Sequence, residues 1–146
     1  WSSDVCSSDL NIPPNKVGMM TPNAINIWMR SVDPENVIVT LHGYLRIVPA
    51  DICERLTIYN GHPGLITLYP ELKGKDPQER VWDLQGTDSY PFIGSVVHRC
   101  TAELDGGEIV SARICANEDF KSKEELYNKL KETSLRSWLN FLRGRV

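Results

Sequence analysis

The chain has 146 residues, 41% hydrophobic and 24% charged, an ordinary globular composition with enough length for one domain. Its formal net charge of -3 gives no reason to expect affinity for nucleic acid or membranes. No run approaches the ~20 apolar residues of a membrane span, and no internal repeat or low-complexity tract stands out.

The first ten residues, WSSDVCSSDL, stand apart. Their apolar spacing fits neither helix nor strand, and they lack the basic start and apolar core of a signal peptide. Back-translated, they match one frame of a common sequencing-library adapter. Segment 1–10 is therefore expected to be adapter-derived, joined to a truncated gene that encodes one domain over 11–146. Without 1–10, Asp4 and Asp9 drop out, the formal charge becomes -1, and the cysteines left are Cys53, Cys100 and Cys115. Their spacing makes no disulfide framework, and no CxxC or HExxH pattern is present. His98-x-Cys100 is the nearest thing to a metal pair, but alternating strand positions with a buried thiol explain it better, so no metal is expected. Reduced cysteines without a signal segment point to the cytoplasm.

Residues 11–20 contain prolines and read as irregular. Thr21-Pro22 then marks a helix start, with Thr21 as the cap and Pro22 in the first turn. Ile25, Trp28, Met29 and Val32 recur at helical spacing, and Asp33-Pro34-Glu35-Asn36 breaks the helix. Val37 to Leu41 is β-branched and apolar, which suits a central strand of a parallel sheet buried on both faces. Gly43 follows, where backbone can approach a ligand closely. Pro49 to Leu56 reads as a short helix and Leu56 to Asn60 as a strand ended by Pro63-Gly64. Residues 70–92 are polar, with a short helix over Pro77 to Leu84. Ser95 to Thr101 and Glu108 to Ile114 read as antiparallel strands around a Glu-Leu-Asp-Gly-Gly turn. Ser122 to Glu125 is a capping box. Leu126, Leu130, Leu135, Trp138, Leu139 and Leu142 carry an apolar stripe through C-terminal helices.

The order is an α/β pattern that ends antiparallel. On a strand, residues two apart face the same way. Asn60 and His62, at the carboxyl end of their strand, therefore point together into the crevice where open α/β sheets bind ligands. An Asn amide can donate to a developing oxyanion, and a His can donate and exchange protons near neutral pH. Asp105 sits in a glycine turn from which a carboxylate can orient an imidazole and favour its charged form. Each motif alone is an ordinary strand end or turn. His98 reads as a structural histidine and Arg46 as a surface cation. The separate segments raise the odds together.

At these residues the chain resembles the formyltransferases that use 10-formyltetrahydrofolate, glycinamide ribonucleotide formyltransferases above all. Gly43-Tyr44-Leu45-Arg46-Ile47 resembles that family's G-F-M-R-I segment. Asn60-Gly61-His62-Pro63-Gly64-Leu65 resembles N-I-H-P-S-L. Gly94-Ser95-Val96-Val97-His98 with Glu103-Leu104-Asp105-Gly106-Gly107 resembles G-T-S-V-H with E-L-D-G-G. The resemblance implies a partial Rossmann-like fold, mostly parallel with antiparallel C-terminal strands and with its first strands missing. It implies a catalytic trio of Asn60, His62 and Asp105. It places the folate against Tyr44, Leu45, Arg46, Ile47 and Val48 and against Ala102, Glu103 and Leu104. The reaction implied is direct transfer of the formyl group to a small amine, with Asn60 and protonated His62 holding the oxyanion and Asp105 assisting the proton relay. The default acceptor is glycinamide ribonucleotide, in purine biosynthesis. The alternatives are an amino sugar nucleotide, water (a hydrolase), or a non-catalytic folate- or nucleotide-binding relative. Gly61, Gly64, Thr67, Glu108 and the longer 70–92 segment depart from the family pattern. The family's first strand and phosphate-binding turn have no counterpart, so the fragment is expected to be unstable or inactive alone.

Overall fold

The computed structural model describes residues 19–44 and 46–144. Segment 1–10, the irregular stretch to residue 18, and Leu45 lie outside the described residues.

Helix α1 runs Pro22–Ser31. Thr21 caps it as expected, its Oγ1 accepting from the Ala24 N–H at 3.2 Å. At its other end the Arg55 guanidinium donates to the Met29 carbonyl at 2.7 Å and to the Val32 carbonyl, placing a cation where the helix dipole favours one. Met29 is fully buried, whereas Trp28, expected on the same face, is 43% exposed. Strand β1, Ile38–Leu41, pairs in parallel with β2, Thr57–His62, through the helix α2, Ala50–Arg55. The expected burial of β1 on both faces does not hold. Among the described residues β1 pairs with β2 alone, and Ile38 is 52% exposed. A 3-10 turn at Pro70–Leu72 and helix α3, Pro77–Asp83, follow.

Strands β3, Phe92–Arg99, and β4, Ile109–Ala116, add antiparallel neighbours, and the four-stranded order is β1-β2-β3-β4. This is the mixed α/β class expected, with the parallel pairing confined to β1 and β2 among the described strands. The β3–β4 register shifts between Val97 and His98, which pair with Ser111 and Ile109 and leave Val110 as the extra residue on β4.

The C-terminal stripe forms one helix, α4, Lys123–Arg143, rather than several. Its cap is the expected Ser122, whose Oγ accepts from the Glu125 N–H, but Glu125 reaches back to the Lys121 N–H instead of to Ser122. Leu126, Leu130, Trp138 and Phe141 are buried, while Leu135, Leu139 and Leu142 are exposed. The rest of the buried face is polar. Ser95 donates to the Leu130 carbonyl and meets Thr133, and Ser111 donates to the Ser137 carbonyl. Small hydroxyls let the helix lie close to the sheet and satisfy their own hydrogen bonds there. No helix among the described residues is long and apolar enough to cross a membrane.

Burial decides which leucines matter. Leu130→Ala, at 1% exposure, is expected to lower unfolding free energy by about 2–5 kcal/mol. Leu135→Ala, at 60% exposure, is expected to change it by no more than about 0.5 kcal/mol. Urea titration of both variants checks the pair.

Candidate functional site

Strand alternation divides β2 between two faces. Tyr59 and Gly61 turn toward α4, where Tyr59 meets Phe141 at a ring separation of 4.6 Å. A Cβ at Gly61 would lie 2.6 Å from Trp138 Nε1, so the indole fills the space that a larger residue would take. This is the physical reason for one departure from the family pattern. The opposite face carries Ile58, Asn60 and His62. β3 lies alongside with Asn60 opposite His98 and His62 opposite Val96.

The Asp105 turn is built to come close. Gly107 packs so tightly that a Cβ there would lie 1.7 Å from the Arg99 carbonyl oxygen, which only glycine permits. Asp105 itself has φ 50, the left-handed region that Asp tolerates better than most residues. Its carboxylate accepts from the Gly74 N–H at 2.7 Å, and the same Oδ2 lies 3.6 Å from His62 Nδ1. Its Oδ1 lies 3.3 Å from His98 Nε2, at ion-pair range but without hydrogen-bond alignment.

Both imidazoles are held at their far side. His62 Nε2 lies 2.7 Å from the Leu72 carbonyl, and His98 Nδ1 lies 3.1 Å from the Arg99 carbonyl. A carbonyl only accepts, so each of those nitrogens carries a proton. Burial pulls His62 below the usual histidine value, while Asp105 and the Leu72 carbonyl pull it up and His98 and Arg80 pull it down. Burial pushes the Asp105 carboxyl up, but contact with His98, the Gly74 N–H and His62 outweighs it and leaves the group below its usual value. The Cys100 thiol is pushed up to about 12, chiefly by burial, which leaves it protonated and inert.

Asn60, His62 and Asp105 line one cavity of about 260 Å³, slightly below the usual range for small-molecule sites. Tyr44, Arg46, Ile47 and Leu104 form one wall, and Gly74, Lys75, Asp76, Pro77 and Gln78 form another. Val48 and Glu103 lie instead on a smaller adjoining cleft, where Val48 also belongs to the core with Ile52 and Ile58. Ala102, expected to line the site, is exposed and lines neither space, because the turn carries it outward before Asp105. Leu45 lies outside the described residues.

Two residues were missed by sequence reasoning. His98, read as structural, is aimed at Asp105. Its signal was its spacing before the glycine turn. Gln78 is 3% exposed, lines the cavity, and has an Oε1 with no hydrogen-bond partner among the described residues. No spacing in the sequence marked it.

The chain matches the family described as formyl transferase over residues 19–140. A methionyl-tRNA formyltransferase of Thermotoga maritima is 28% identical over 133 residues, covering 88% of this chain and 40% of that relative. The chain thus spans less than half the length of this curated relative. Among solved structures, glycinamide ribonucleotide transformylase 1 from Symbiobacterium toebii superposes with a TM-score of 0.70 at 20% identity, covering 94% of this chain and 65% of that one. The phosphoribosylglycinamide formyltransferase of Campylobacter jejuni gives 0.63 at 22% identity, covering 82% and 60%. At these identities the two structures show a shared fold.

The folded state binds fewer protons than the unfolded chain at both His62 and Asp105, because both values are lowered. The stability held by neutral His62 is therefore present above the unfolded histidine value of ~6.5 and is lost as pH falls from there toward the folded value. Asp105 adds a second loss beginning near ~3.9. Urea midpoints across that range are expected to fall with pH. Asp105→Asn removes the charge that raises His62, so the His62 midpoint in an NMR titration is expected to drop further.

Proposed function

The chain belongs to the formyl transferase family, and on that premise we propose that its domain moves a formyl group from 10-formyltetrahydrofolate to a primary amine. The observation that carries the reading is the meeting of Asn60, His62 and Asp105 on one cavity. In the proposed reaction the amine attacks the formyl carbon, a new C–N bond forms, and negative charge develops on the formyl oxygen. Asn60 offers an amide donor to that oxygen. His62 exchanges the Leu72 carbonyl for it. Burial favours neutral His62 at rest, and the developing anion beside it favours the imidazolium, so its proton affinity rises when the charge appears. The C–N bond to the folate then breaks. The proton leaving the amine passes to the folate nitrogen, with Asp105 placing His62 and a relaying water.

The residues present suit the folate. Ile47 and Leu104, 69% and 52% exposed, are apolar surfaces at the cavity wall for a flat ring. Tyr44 adds an aromatic face, and Arg46 is a cation for a carboxylate tail. The wall from Gly74 to Gln78 is then the acceptor side. Glycinamide ribonucleotide is the default acceptor. A second reading, the α-amine of an aminoacyl-tRNA, is supported by the name and 28% identity of the Thermotoga maritima relative.

The test uses the full-length protein, 10-formyltetrahydrofolate and a panel of both acceptors plus an amino sugar nucleotide. His62→Ala and Asp105→Asn are each expected to lower kcat/KM by about 10²–10⁴ while leaving the circular dichroism spectrum unchanged. Full activity in both variants sinks the assignment. Turnover without an acceptor makes the protein a hydrolase, and folate binding without turnover makes it a binding relative.

A further inference from the structure

Arg80 lies on α3, inside the 70–92 segment. Its guanidinium grips the loop before that helix. Nη1 donates to the Glu71 carbonyl at 2.6 Å and the Lys73 carbonyl at 3.0 Å, and Nη2 donates to the Lys75 carbonyl at 2.9 Å. The groups between these carbonyls face the other way. The Leu72 carbonyl accepts from His62 Nε2, and the Gly74 N–H donates to Asp105 Oδ2, both at 2.7 Å. One short loop thus shows alternate backbone groups to a cation on one side and to the two titratable site residues on the other.

We propose that Arg80 is a positioning residue whose planar fork sets the 71–75 loop, so that Leu72 holds His62 as the Nε2–H tautomer and Gly74 holds Asp105. It touches no reacting atom and acts through the backbone. The geometry requires a fork. Three carbonyls spread over five residues are reached by nitrogens fixed in one plane, whereas a lysine ammonium is a single point charge. Neither Arg80 nor the carbonyls it grips belong to the motifs that resemble the family.

The proposal rests on His62 and Asp105 as the reacting pair, but its test reads the imidazole directly. A failed test leaves formyl transfer standing, and an inactive protein leaves the test valid. The probe is solvent exchange of the His62 Nε2 proton, followed by NMR on the whole chain near neutral pH. In the wild type this proton, bonded to Leu72 and buried, is expected to exchange slowly. Arg80→Met is expected to speed its exchange by at least about 10-fold. Arg80→Lys, which keeps the charge and loses the fork, is expected to behave in the same direction. Lys123→Met removes the ion pair between Lys123, at the start of α4, and Glu79, the neighbour of Arg80 on α3, without touching the loop, and is expected to leave the rate within about two-fold. If Arg80→Met does not fold, Arg80→Lys decides the matter. Exchange in the Arg80 variants equal to wild type, or no faster than in Lys123→Met, overturns the proposal.

Discussion

The carboxylate of Asp105 is the point on which the site depends. At 8% exposure it has left water, and an ionised carboxylate without partners in such a place is heavily penalised. Groups from separate parts of the chain meet it: the Gly74 N–H, in the loop before α3, donates to it, and the rings of His62 and His98, near the ends of β2 and β3, lie 3.6 and 3.3 Å from its oxygens. The turn that delivers it is itself constrained, by φ 50 at Asp105 and by the packing of Gly107 on the Arg99 carbonyl. Each of these elements is placed by different contacts, and the surroundings of the carboxylate are complete only when all are in place.

The sheet supplies the fixed side of this arrangement. Trp138 seats against Gly61, and Phe141 against Tyr59, so α4 braces the back of β2 just where Asn60 and His62 project from the front. Buried hydroxyls of Ser95, Thr133, Ser111 and Ser137 join the same helix to β3 and β4 with bonds that have direction, which apolar packing alone lacks. On the front, by contrast, the groups that meet the site come from loops. A site carried on a rigid sheet end and completed by loops is a common division of labour. Here the loop is tied down by side-chain bonds to its backbone.

Much of this was readable in the residues. Thr21-Pro22 announced α1, Ser122 to Glu125 announced α4, and the Gly-Gly turn between two alternating runs announced the β3–β4 pair. Each of these signals is local, set by caps, turns and periodicity within a few residues. The misreadings concern burial. Trp28, Leu135, Leu139 and Leu142 are apolar at helical spacing yet exposed, while Ser137 and Thr133 are polar yet buried. Periodicity names a helix and its apolar side, but the partner surface decides which edge of that side is covered, and a sheet approached through hydroxyls selects differently from one approached through leucines.

The sequence by itself determined the family likeness, the α/β class, and the candidacy of Asn60, His62 and Asp105, because motifs and caps are written in adjacent residues. Only the tertiary structure decided that His98 faces Asp105, that Ala102 turns away, and that Leu72 and Gly74 lend backbone groups to the site. Backbone carbonyls and amides are the same in every residue, so no sequence pattern marks the few that will be used. Their role arises from where folding leaves them, and that is settled by contacts between segments tens of residues apart.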